Sequence, residues 1–165
     1  MEWHCLDLEE SLPPSTDLAG QFDTVVASEI IEHVSTPQRF LRRAAELAEP
    51  GRGRLILTTQ SGPVRETERR VGHLRHFSRD EVAELLARAG WVPVRVWNSG
   101  FPFHDLSKWY ANLDPDASMA RFGDRPYGLR ESATALLLRV AFTFNSRRRG
   151  AQLFAVARRC ATGQS

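Results

Sequence analysis

Glu29, Glu32 and His33 stand at i, i+3 and i+4 directly after the apolar run Val25-Val26-Ala27. On a helical turn that spacing gathers all three side chains together. Two carboxylates and an imidazole form a donor set for magnesium, manganese or zinc, and a bound cation polarises a substrate hydroxyl and lowers its pKa. The same residues also have a structural use, in which an acid caps the turn and the histidine packs beneath it. His73 and His76, three apart and just ahead of a helix start, form a second candidate group. A neutral imidazole near pH 7 accepts the proton of an attacking hydroxyl, so either ring is a candidate general base or fourth ligand. In a polar loop both rings can equally well bind backbone carbonyls.

The elements that must position these groups alternate between short apolar runs and helical periods, as in an α/β fold with a largely parallel sheet. Val25-Val26-Ala27 and Leu55-Ile56-Leu57-Thr58 are runs suited to strands covered on both faces. Between them Thr36 is an N-cap candidate with Pro37 at the first helical position, Phe40, Ala44, Leu47 and Ala48 share one face, and Gly51 ends the helix. Ser78-Arg79-Asp80-Glu81 matches a capping box, followed by Val82, Leu85, Leu86 and Ala89, with Gly90 as the stop. Val92, Val94 and Val96 then alternate as a strand, which Pro93 assigns to a sheet edge because it lacks a ladder donor. Leu137, Val140, Ala141 and Phe144 predict a last helix, and Leu153-Phe154-Ala155-Val156-Ala157 a last strand.

A chain of 165 residues with 42% hydrophobic content is enough for one domain with its own core. Its 22 Lys and Arg against 20 Asp and Glu leave a net charge of +2, too small an excess to argue for nucleic acid even with the Arg147-Arg148-Arg149 run. Cys5 and Cys160 form no metal or redox spacing, and the sequence shows no secretory signal and no apolar run of about 18 residues. A cytoplasmic protein with no membrane partner is therefore expected. Leu136-Leu137-Leu138, interrupted by Arg139 and Asn145, is expected to be a buried helix rather than a membrane span.

Three segments occur in order: Ser28-Glu29-Ile30-Ile31-Glu32-His33-Val34, Glu49-Pro50-Gly51-Arg52-Gly53-Arg54-Leu55, and Gly72-His73-Leu74-Arg75-His76-Phe77-Ser78. Together they resemble the later part of class I S-adenosylmethionine-dependent methyltransferases. The resemblance implies a Rossmann-like sheet, largely parallel, with an antiparallel last strand inserted between the two before it. It also implies S-adenosylmethionine as cofactor. Asp7 and Leu8 resemble the segment where an acidic side chain and the next backbone amide meet the adenine, and Ala27 and Ser28 lie where the strand end passes the methionine part. The E-x-x-E-H spacing is similar to that of ubiquinone-pathway O-methyltransferases and small-RNA 2′-O-methyltransferases, where these residue types hold a divalent cation such as magnesium or zinc.

The glycine-rich loop that the family places before these segments has no counterpart here, so the chain reads as a single partial domain, 1–165, truncated at its N-terminus. Within it, 98–127 is expected to be a substrate-covering insertion, whose Phe101, Phe103, Trp109, Tyr110, Phe122 and Tyr127 either line an acceptor pocket or form a local mini-core. His104 and Asp105 read as a helix-starting pair. The expected function is methyl transfer to an oxygen or nitrogen of a small metabolite, impaired in so short a chain. The alternatives are a non-catalytic methyltransferase-like binding module and an RNA 2′-O-methyltransferase. The sequence leaves the oligomeric state open.

Overall fold

The computed structural model describes residues 18–120 and 128–161, with 4, 7 and 10 before them. The chain runs β1 (Thr24–Ser28), α1 (Pro37–Leu47), β2 (Arg54–Gln60), α2 (Glu66–Arg70), α3 (Arg79–Arg88), β3 (Trp91–Ser99), α4 (Phe103–Ala111), α5 (Pro115–Ala120), α6 (Leu129–Thr143) and β4 (Gln152–Arg159). The four strands form one sheet in the order β1-β2-β4-β3. β1 pairs parallel with β2, and β4 lies antiparallel to both β2 and β3, so the last strand is inserted as expected. The sheet is thus α/β and Rossmann-like. Pro93 does sit in an edge strand, and the register shifts between Pro93 and Arg95, which leaves Val94 out of the ladder.

The core lies on one face of the sheet. Leu55 and Leu57 of β2, Ala27 of β1, and Leu153, Ala155 and Ala157 of β4 are buried against Phe40, Leu41, Ala44 and Ala45 of α1 and Val82 and Leu86 of α3. α1 follows the expected apolar stripe and begins at Pro37. α3 begins with the capping box: Ser78 Oγ accepts the Glu81 amide at 3.2 Å, and the Glu81 carboxylate accepts the Ser78 amide at 2.7 Å. Gly90, at φ +83°, ends α3 in a conformation that favours glycine. Trp91 is buried beside it, its indole donating to the Leu41 carbonyl at 2.9 Å and so joining β3 to α1.

Two expectations are overturned. Among the described residues β1 and β2 are covered on one face only: Val26 is 63% and Ile56 42% exposed, because α1 and α3 both pack on the opposite side. α6 forms where predicted but is not buried, with Leu136 62% and Leu137 68% exposed. Its apolar residues run round the whole helix instead of forming a stripe, and its main packing partner is α4. No helix among the described residues is long and apolar enough to cross a membrane.

Candidate functional site

β1 and β2 end, and β4 begins, at one edge of the sheet, and the candidate residues collect there. This is the carboxyl edge of the parallel pair, where open α/β sheets place their ligands. Glu29 follows β1 at φ +51°, a left-handed conformation that is uncommon outside glycine. Its surroundings hold it there. The Glu29 amide donates to the Thr58 carbonyl at 3.0 Å. Its carboxylate accepts from Thr58 Oγ1 at 2.8 Å, Gln60 Nε2 at 3.0 Å and Gln152 Nε2 at 2.6 Å. Burial alone would raise the Glu29 pKa, but these three donors, with a hydrogen bond from the Glu32 carboxyl, outweigh it and hold the group below the usual carboxylate value.

Three residues on, Glu32 is fully buried. Its Oε2 accepts from Thr59 Oγ1 at 2.7 Å, while Oε1 is buried with no hydrogen-bond donor. Burial outweighs the Thr59 hydrogen bond and, together with the nearby Glu29 charge, raises the Glu32 pKa. The Glu32 carbonyl accepts the Leu74 amide at 2.8 Å, which lays the 73–76 loop against this turn. Ligand-type atoms of Glu32, His33 and His73 consequently lie within 4.8 Å of one another. The His33 and His73 rings meet edge to face at 4.6 Å. His73 Nδ1 is 3.0 Å from His76 Nε2, and His76 Nδ1 is 3.1 Å from the Gly62 carbonyl. Burial first, then the neighbouring histidines for His73 and Lys108 for His76, lowers the pKa of both rings, which favours the neutral imidazole.

The other sequence-derived candidates are placed as follows. Ala27 is buried in the core, and Ser28 Oγ lies 2.9 Å from Thr58 Oγ1 beside Glu29. Asp7 is exposed, and Leu8 lies outside the described residues. His104 and Asp105 do open α4, where the His104 ring meets Phe142. Phe101, Phe103, Trp109 and Tyr110 are all exposed and make no mini-core among the described residues; Phe122 and Tyr127 fall outside them.

Lys108 of α4 escaped the sequence reading. It donates to Gln60 Oε1 and lies 2.6 Å from the Glu68 carboxylate, so it ties α4 to the strand end that holds Glu29. Thr58, Thr59, Gln60 and Gln152 also went unnoticed. The available signal was a polar Thr58-Thr59-Gln60 ending on an apolar strand. Beside Lys108 lies a cavity of about 290 Å³, lined by Ser61, Gly62, Arg65, Asp105 and Ala151.

Residues 3–96 match a family described as a methyltransferase domain. The ubiquinone biosynthesis O-methyltransferase of Ruegeria pomeroyi is 30% identical over 113 residues, covering 60% of this chain and 45% of that protein. Its namesake in a Caulobacter species is 49% identical over 41 residues, 25% of this chain and 16% of that protein. The chain thus spans less than half the length of these curated relatives. Among solved structures, the [4+2]-cyclase SpnF superposes with a TM-score of 0.57 at 19% identity, covering 96% of this chain and 55% of that one. A geranyl diphosphate methyltransferase in complex with SAM gives 0.52 at 16% identity, covering 93% and 56%. These structures share the fold, and one is a cyclase, so the fold alone does not fix the reaction. The family match, which covers more than half of the sequence, and the inserted antiparallel strand together place this chain in the class I S-adenosylmethionine-dependent methyltransferase family.

Proposed function

We propose that this domain serves methyl transfer from S-adenosylmethionine to a hydroxyl oxygen of a small molecule, at a site that holds a divalent cation. The observation that carries the reading is the fully buried Glu32, whose Oε1 has no donor and which stands with His33 and His73 as one ligand group. A buried acceptor without a donor calls for an ion or a proton. A proton on Glu32 shared with the Glu29 carboxylate would also satisfy Oε1, and the His33 and His73 imidazoles in the same group are what favour a cation. Two imidazoles and a carboxylate favour zinc over magnesium, because magnesium prefers oxygen donors. Glu29, expected from the sequence as a third ligand, is not in that group: its carboxylate is taken up by Thr58, Gln60 and Gln152, and His73 stands in the group instead.

S-adenosylmethionine supplies a methyl group that is already strongly electrophilic, so the protein's task is alignment and removal of one proton. A cation here would polarise the acceptor hydroxyl. Ala27 and Ser28 end β1 where the cofactor's methionine part would pass, and Asp7 with Leu8 remains the proposed adenine contact. The curated relatives' O-methyltransferase names favour oxygen over nitrogen.

The test is zinc titration of the purified chain by calorimetry, alongside transfer of labelled methyl from S-adenosylmethionine to catechol and to its diamine counterpart. One zinc per chain, weakened more than about tenfold in Glu32→Gln, is expected, with whatever methyl transfer the chain performs going to catechol alone. Equal zinc binding by wild type and variant would refute the cation site, and transfer to the amine would refute the choice of oxygen.

A further inference from the structure

The three groups that follow one another from Gly62 to His73 fix more than ring position. A carbonyl oxygen only accepts, so the 3.1 Å contact between His76 Nδ1 and the Gly62 carbonyl requires the proton to sit on Nδ1. In a neutral imidazole the other nitrogen is then a bare lone pair. His76 Nε2 therefore accepts across the 3.0 Å contact to His73, and the donor is His73 Nδ1–H. That leaves Nε2 as the one lone pair on His73. We propose that His76 is a positioning residue: it relays the Gly62 carbonyl's hydrogen-bond preference to His73 and holds His73 in the Nδ1–H tautomer, with Nε2 alone free to take a cation or a proton. The proposal rests on the reading of Glu32, His33 and His73 as the functional group, and it assigns His76 a role other than base or ligand.

The geometry explains why two histidines are needed. A carbonyl placed directly against His73 would set its tautomer, but the nearest one along this path is at Gly62, one ring-width away. The intervening imidazole accepts on one side and donates on the other, so it passes the preference on. Each neutral ring offers one donor and one acceptor, which preserves the alternation. Glutamine offers the same pair of functions, a carbonyl to accept and an amide to donate. Phenylalanine keeps an aromatic ring and offers neither.

Two-bond ¹H–¹⁵N correlation spectra of the uniformly labelled chain read each ring's tautomer directly, with no metal, cofactor or turnover required. The expected result is a protonated Nδ1 and bare Nε2 on both His73 and His76. His76→Gln should keep the His73 signature, and His76→Phe should return His73 to the ordinary Nε2–H form. Zinc affinity should fall about 10- to 100-fold in His76→Phe and stay within about threefold of wild type in His76→Gln. A wild-type His73 carrying its proton on Nε2 overturns the proposal, whether or not either variant folds. So does a His73 signature unchanged in a folded His76→Phe. A correct tautomer in a chain that binds no zinc upholds the relay and refutes only the cation reading.

Discussion

α3 and α6 are both helices rich in leucine, yet one is sealed into the core and the other lies largely in the open. Val82 and Leu86 of α3 are buried against the sheet, whereas Leu136, Leu137 and Val140 of α6 are exposed. What separates them is arrangement. The apolar residues of α3 share one side, which meets α1 and β3, and a capped first turn fixes where the helix starts. α6 spreads its apolar residues round the axis and follows Gly128, which has no side chain to cap it. Apolar content therefore says that a segment can be buried, and one-sidedness together with a facing surface decides whether it is.

The largest expected effect tests that contrast directly. Leu86→Ala should lower unfolding free energy by about 2–5 kcal/mol, while Leu137→Ala should stay within about 0.5 kcal/mol, both read from urea midpoints. Equal losses would mean that α6 is covered in solution and the comparison fails. The next effect probes what anchors the exposed side. Glu68, which also accepts the Arg65 amide at 2.6 Å, is the ion partner of Lys108 on α4. Burial raises its pKa, but the Lys108 hydrogen bond, the Arg65 amide and the Lys108 charge together outweigh this and hold it below its ordinary value of 4.5. A carboxylate with a depressed folded pKa adds stability above its unfolded pKa and loses that contribution as pH falls through the folded one. Glu68→Gln should thus cost about 1.5–3 kcal/mol at pH 7, with the gap from wild type closing as pH drops below 4.5. A gap that does not change with pH would show that Lys108 does not hold α4 through this charge. The smallest effect is at the helix start: Ser78→Ala should cost about 1 kcal/mol and speed amide exchange in the first turn of α3. Unchanged exchange there would remove the cap from the explanation of why α3 is the better-defined helix.

Much of the better-packed half was legible beforehand because its signals are local. The capping box at Ser78, the proline at position 37, the stripe through Phe40 and Ala44, and Pro93 at an edge each depend on neighbours a few residues away. The Glu29-Glu32-His33 loop was legible for the same reason. The site's other half was not. Gln152 reaches Glu29 from a distant strand, His73 joins Glu32 only because the Leu74 amide finds the Glu32 carbonyl, and Lys108 arrives from an insertion whose path no spacing encodes. Leu136-Leu137-Leu138 misled for a related reason, since its burial depends on a partner surface that a run of leucines cannot announce. Val26 and Ile56 were assigned cover on the same mistaken ground.

The position of β4 bears on how the protein is made. β1 and β2 can pair as soon as both are synthesised, since one helix joins them. β3 cannot join that pair, because the strand that lies between β2 and β3 is translated only after α4, α5 and α6. At ~5–20 residues per second the nascent chain carries Leu55, Leu57 and Trp91 for some seconds with their central neighbour still unmade. During that interval β2 and β3 each present an unpaired edge. Of the described strands, the one that joins β2 to β3 is made after both, and a ribosome stalled before Gln152 would display two unjoined halves ready to engage another chain's strands.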